Sequence, residues 1–114
     1  MKIETSANSV YKIITIEEPL KVIADLTEFK REIERLLEKG DKYIGVNFSD
    51  ASYLYSGAIS ILITCYRMIK EKDGSLCIIE PQPRVLELLT QMNIDSLIGI
   101  YKSEEEMLAK TVDS

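Results

Sequence analysis

The 114-residue chain contains no histidine. That removes the commonest general base at neutral pH and the commonest metal ligand. Its two cysteines, Cys65 and Cys77, form neither a CxxC pair nor a zinc-type cluster. Each sits inside an apolar run and reads as a buried free thiol, which fits a reducing compartment. The glycines Gly40, Gly45, Gly57, Gly74 and Gly99 are scattered singly, so no phosphate-cradling loop exists. The longest apolar stretch, Ala58 to Tyr66, is interrupted by Ser60 and Thr64. It is too short for the ~20 apolar residues of a bilayer span. The opening Met1-Lys2-Ile3-Glu4-Thr5-Ser6 lacks the apolar core of a signal peptide. No direct membrane insertion is expected, and the cytoplasm is the expected location. Positive charge is in the minority: 14 basic against 19 acidic side chains leave a net charge of −5. A nucleic-acid binder would show a basic face to displace counterions from phosphates, so no nucleic-acid partner is expected.

What is present is an ordinary globular composition, 46% hydrophobic and 29% charged. The length suits a single domain over residues 1–114, with a core that needs no staple or metal. Val10-Tyr11-Lys12-Ile13-Ile14-Thr15-Ile16 is rich in β-branched and aromatic residues and stops at Glu17-Glu18-Pro19, the mark of a strand. Lys2 to Thr5 is expected to pair with it across Ala7-Asn8-Ser9, and Leu20 to Ile23 to form a short extended piece. Asp25-Leu26-Thr27-Glu28 has capping-box chemistry for a first helix. Leu26, Phe29, Ile33, Leu36 and Leu37 recur at helical spacing, and Gly40 supplies the stop.

Tyr43 to Phe48 reads as a buried strand, Ser49 to Ser52 as a turn, and Tyr53-Leu54-Tyr55 as a short apolar stretch. A second helical pattern follows Ser56, with Ile59, Leu62, Ile63, Tyr66 and Ile69 on one wide face. Leu76 to Ile79 is a strand ended by Glu80-Pro81. Pro83 suits the first position of a third helix, with Val85, Leu86, Leu88, Leu89 and Met92 on its face and Asn93 as a left-handed stop. Ile94 to Tyr101 holds a short strand. Ser103-Glu104-Glu105-Glu106 is a second capping box before Met107, Leu108 and Val112. Alternating strands and helices predict an α/β domain: a mixed sheet of about 4–5 strands with about four helices packed on one side or both.

No catalytic constellation emerges. Ser56, Ser60, Cys65 and Cys77 have no histidine to activate them. Glu17-Glu18 and Glu104-Glu105-Glu106 suit solvated surface and helix starts. No enzyme, cofactor or metal is expected.

The segment Val46-Asn47-Phe48-Ser49-Asp50-Ala51-Ser52-Tyr53-Leu54-Tyr55-Ser56-Gly57-Ala58-Ile59 resembles the central motif of the STAS family, the anti-sigma-factor antagonists of bacteria. That motif runs hydrophobic-Asp-Leu-Ser, then aromatic-aliphatic-Asp-Ser-Ser/Thr-Gly-Leu. Counted without gaps, Asn47 matches the first Asp, and Tyr53-Leu54 match the aromatic-aliphatic pair. Ser56 then falls on the serine that the family offers to a partner kinase. Tyr55 stands where the family has Asp, and Gly57-Ala58 where it has Ser/Thr-Gly. The family's earlier Gly-x-Leu-Asp is replaced by Glu18-Pro19-Leu20-Lys21-Val22. A second register places Gly57 on the family's glycine and Tyr55 at the acceptor position. The surrounding helices, strands and the Ile100-to-Leu108 ending follow family order.

The resemblance implies a STAS-like fold and a cytoplasmic, partner-switching regulator of transcription, a monomer or weak dimer. Its partner would be an anti-sigma factor that is itself a serine kinase, and Ser56 would be the phosphorylated residue. Tyr53, Tyr55, Ser56, Gly57 and Ser60 would form the binding surface; only phosphate uptake by a Ser56→Ala variant would point to Ser52 or Ser60 as the acceptor instead. The alternative is a non-switching STAS module in a signalling assembly or a lipid-transport complex. From the residues alone, Ser56 also suits a helix cap whose hydroxyl satisfies an orphan amide. Alternation along the Tyr53–Tyr55 stretch would send one ring inward and one outward. Cys65 and Met68 read as packing residues.

Overall fold

The computed structural model describes residues 2–8, 10–17, 22–23 and 26–111. In chain order the elements are β1 (Lys2–Asn8), β2 (Tyr11–Glu17), β3 (Val22–Ile23), α1 (Thr27–Glu38), β4 (Tyr43–Asn47), β5 (Tyr53–Leu54), α2 (Ser56–Glu71), β6 (Ser75–Ile79), α3 (Pro83–Gln91), a 3₁₀ turn (Ile94–Ser96), β7 (Gly99–Tyr101) and α4 (Glu104–Thr111). Five strands form one mixed sheet in the order β1-β2-β4-β6-β7. β1 runs antiparallel to β2 from Lys2–Glu17 to Asn8–Tyr11, so the hairpin reaches further than the expected Lys2 to Thr5. The β2–β4, β4–β6 and β6–β7 pairs are parallel. β3 and β5 make a separate two-stranded parallel pair, Val22 with Tyr53 and Ile23 with Leu54. Asp25, Leu20 and Val112 lie outside the described residues, and with them the first capping box, the start of the short extended piece and the end of the α4 stripe.

Pleating sorts the central strands onto two faces. Ile14, Ile16, Ile44, Val46, Leu76 and Ile78 share one buried cluster with residues of α1, α2 and α3. Tyr11, Ile13, Cys77 and Ile79 share a smaller one with Met107 of α4. Three helices thus cover one face of the sheet and one helix covers the other. Gly45 lies on the α4 face, where an added Cβ would stand 2.7 Å from Ile79 Cδ1 and 3.0 Å from Ile13 Cδ1.

Phe29, Ile33 and Leu36 anchor α1, and Leu26 is buried just ahead of it. Burying such a side chain contributes about 1.5–3 kcal/mol. Gly40 ends the helix with φ 92°, the left-handed region that glycine enters at little cost. The α2 stripe is Ala58, Ile59, Leu62, Cys65 and Ile69. Ile63 and Tyr66, expected on that face, are only half-buried, because Cys65 occupies the core position between them. In α3 the core takes Val85 and Leu89. Leu86 and Met92, also expected inside, are 40% and 45% exposed. A surface helix buries only the stripe that touches its neighbour, and an i, i+4 pair satisfies it here. Asn93 ends α3 with φ 59°, as expected. At α4 the Ser103 hydroxyl accepts the Glu106 amide at 3.0 Å. The Glu106 carboxylate accepts from the Lys102 amide at 3.2 Å, one residue before the usual capping-box partner. Among the described residues, no helix is long and apolar enough to cross a membrane.

Candidate functional site

The segment from Asn47 to Ser60 lies past the C-terminal end of β4, the edge where parallel α/β sheets place their functional loops. Asn47 closes the strand, only 7% exposed. Its Oδ1 accepts the Ser49 amide at 2.8 Å, an Asx turn that starts the reversal. Its Nδ2 donates to Glu80 Oε2 at 3.2 Å, which ties this loop to the end of β6. Gln82 Nε2 donates to the Ser49 carbonyl at 2.7 Å, and the Phe48 amide donates to the Ile79 carbonyl at 3.1 Å. The loop therefore leaves the sheet along a fixed path and enters β5.

Leu54 is buried, while Tyr53 is half-buried and Tyr55 is 51% exposed. Both rings therefore lie on the outer side. This corrects the expectation of one ring in and one out, since residues two apart in a strand share a face. The rings meet edge to face with centroids 5.1 Å apart and planes at 74°. Arg84, exposed in the first turn of α3, places its guanidinium carbon 5.9 Å from the Tyr53 centroid.

Tyr55, not Ser56, is the cap of α2: it has extended backbone (φ −85°, ψ 167°), and its carbonyl accepts the Ala58 and Ile59 amides at 3.0 and 3.2 Å. Ser56 is the first helical residue and is exposed. Its hydroxyl makes no hydrogen bond to any described residue. The expected capping role is thus corrected. No side chain caps α2, and the Ser56 hydroxyl is left for solvent. Gly57 and Ser60 are also exposed, and Ser60 lies one turn beyond Ser56 on the same flank. The structure brings Tyr53, Tyr55, Ser56, Gly57 and Ser60 to one continuous stretch of surface. Arg84 was missed by sequence reasoning. Only the tertiary approach of α3 to β5 brings it there, and no local pattern signals that.

Cys65 is fully buried, and burial pushes its thiol up to about 12. Burial also raises Cys77, against the Tyr11 hydroxyl 3.8 Å away. Neither thiolate is available at neutral pH. Among the described residues, no three Cys, Asp or Glu side chains are placed to hold a metal ion.

A mixed sheet with three helices on one face, and an exposed serine opening the helix after β5, defines the class. The chain belongs to the STAS domain family, whose model matches residues 2–107. It is similar to a putative anti-sigma factor antagonist from Thermotoga maritima, with 19% identity and a TM-score of 0.84, covering 96% of this chain and 94% of that one. It is similar to the Bacillus anti-sigma factor antagonist SpoIIAA. Its unphosphorylated form has 14% identity and a TM-score of 0.77, covering 99% and 98%. Its phosphorylated form has 14% identity and a TM-score of 0.69, covering 96% and 98%. A chain of the stressosome, a signal integration and transduction hub, has 20% identity and a TM-score of 0.76, covering 96% of both chains.

Proposed function

We propose that this chain is an anti-sigma factor antagonist that works by partner switching. With Ser56 unmodified it binds a serine-kinase anti-sigma factor and so frees a sigma factor for transcription. Phosphorylation at Ser56 ends the complex. The observation that carries this reading is the exposed, uncommitted Ser56 hydroxyl at the start of α2, beside the exposed ring of Tyr55. A phosphate adds about −1.5 to −2 charges there at neutral pH. The helix N-terminus tolerates an anion, so the fold has no reason to change. The partner instead meets a strongly hydrated dianion in a surface it must desolvate, and affinity falls. The kinase supplies nucleotide and metal; this chain supplies no catalytic group. That SpoIIAA has been solved both with and without phosphate, each time sharing this chain's fold, supports the reading.

A second reading, a non-switching subunit of a signalling assembly, is favoured by one feature. Tyr55, a phenol rather than a carboxylic acid, precedes Ser56 where the family motif has Asp.

Titration of the host's kinase-type anti-sigma factor against two variants separates the readings. Ser56→Asp is expected to keep its helical circular dichroism and lose binding. Ser56→Ala is expected to bind like the parent chain and take up no phosphate. Undiminished affinity in Ser56→Asp would sink the switch and leave the assembly subunit.

A further inference from the structure

We propose that the docking surface continues from Tyr55 across Tyr53 onto the first turn of α3, and that it receives a carboxylate-bearing segment of a partner protein, anchored by Arg84. The inference rests on the reading of the Ser56 surface as the partner-binding face, and it adds the chemistry of what binds. Ser52, Tyr53, Tyr55 and Arg84 line a shallow recess of about 440 Å³. Among the described residues that line it, Arg84 is the only charged one, in a chain whose net charge is −5. Neither α2 nor α3 has an acidic residue in its own first turn to offset the positive end of its dipole. α4, on the opposite face of the sheet, opens with Glu104, Glu105 and Glu106. The nearby Glu80 carboxylate is turned to Asn47 and lines a different recess, with Pro81, Leu86 and Tyr101. Among the described residues, Arg84 and the starts of α2 and α3 together favour an anion at this recess.

The side chains suit a carboxylate on a peptide. A planar guanidinium forks onto a carboxylate in a way that an ammonium does not. A cation–π contact at 5.9 Å from the Tyr53 centroid biases Arg84 toward this recess before the partner arrives. The edge-to-face rings offer apolar area with few torsions left to freeze, and Tyr and Arg are the residues enriched at binding hot spots.

The test uses the full chain, isotope-labelled, titrated by NMR with an end-blocked peptide of alternating Glu and Leu. A matched peptide of alternating Lys and Leu is the control. The acidic peptide is expected to shift the resonances of Tyr53, Tyr55 and Arg84 in the parent chain and equally in Ser56→Ala. Arg84→Glu is expected to weaken it by about tenfold, the scale of a hot-spot arginine. Added salt should weaken binding in the same direction. Unmoved tyrosine resonances, equal shifts with the basic peptide, or unchanged affinity in Arg84→Glu would each overturn the proposal. Because the peptide readout is independent of phosphate, failure of the Ser56 switch is recognised separately, as an unmodified intact mass after incubation with the host kinase.

Discussion

The rings of Tyr53 and Tyr55 meet edge to face with centroids 5.1 Å apart, while Leu54 between them is buried. The aliphatic side chain fixes the strand to the core and so fixes both rings on the surface. Tyr55→Ala removes the more exposed ring without opening a cavity. Its stability is expected to stay within about 0.5 kcal/mol of the parent. Its affinity for the proposed anti-sigma partner is expected to fall by about 1–2 kcal/mol, measured by calorimetric titration. Equal binding would remove Tyr55 from the contact surface.

Asn47 holds the loop in place through the Ser49 amide and the Glu80 carboxylate. Asn47→Ala leaves both without their partner at a nearly buried position, and a cost of about 1–3 kcal/mol is expected. Urea unfolding should show a lower midpoint at an unchanged slope. Asn47→Asp, which restores the residue of the family motif, keeps the bond to Ser49 but sets a second carboxylate against Glu80. One of the two must then bind its proton more tightly when folded than when unfolded. The variant should match the parent in acid and lose ground as pH rises through the carboxylate range. A deficit independent of pH would contradict this account of the pair.

Two glycines are forced by close approach, but with different neighbours. A Cβ on Gly74 would stand 2.1 Å from the Lys42 carbonyl oxygen, while one on Gly45 meets only the ends of Ile79, Ile13 and Met107. Side-chain ends can turn aside; a backbone carbonyl that already accepts the Ser75 amide at 2.9 Å cannot. Gly45→Ala is expected to cost about 1–3 kcal/mol, the ordinary penalty of overpacking. Gly74→Ala is expected to cost more, and thermal unfolding of the two variants should rank them in that order.

The buried thiols carry a pH signature. Cys65 is raised from 9.0 to about 12, chiefly by burial, and burial also raises Cys77 and Tyr101. For each, the unfolded chain gives up its proton at lower pH than the folded one. The Cys65 contribution is therefore intact below pH 9 and is lost as pH climbs toward about 12, and Cys77 and Tyr101 act in the same direction. Unfolding free energy measured across that window should fall. In the native state at neutral pH, a thiol reagent should label neither cysteine. Fast labelling would show that the core opens around α2 or β6.

Much of the fold was legible because strong patterns coincide with turn chemistry. Phe29, Ile33 and Leu36 sit at helical spacing before Gly40, and Pro83 and Asn93 bracket α3. The errors fell where pattern alone cannot rank two apolar neighbours. Leu86 and Met92 are as hydrophobic as Val85 and Leu89, and only the direction of the sheet decides which pair is buried. Ile63 and Tyr66 yielded to Cys65 for the same reason. At the site, Tyr53, Tyr55 and Ser56 were visible in one contiguous segment. Arg84 lies about thirty residues further on and reaches Tyr53 only because α3 starts beside β5, a tertiary fact with no local signature.

The central claim is a phosphate on one serine. The direct measurement incubates the chain with the proposed partner, a serine-kinase anti-sigma factor of the host, and ATP, then reads intact mass and maps the site by fragmentation. A single added phosphate on Ser56, with loss of the complex as it accumulates, is the predicted result. An unmodified chain that stays bound, or a phosphate on Ser52 or Ser60 with Ser56 untouched, would contradict it.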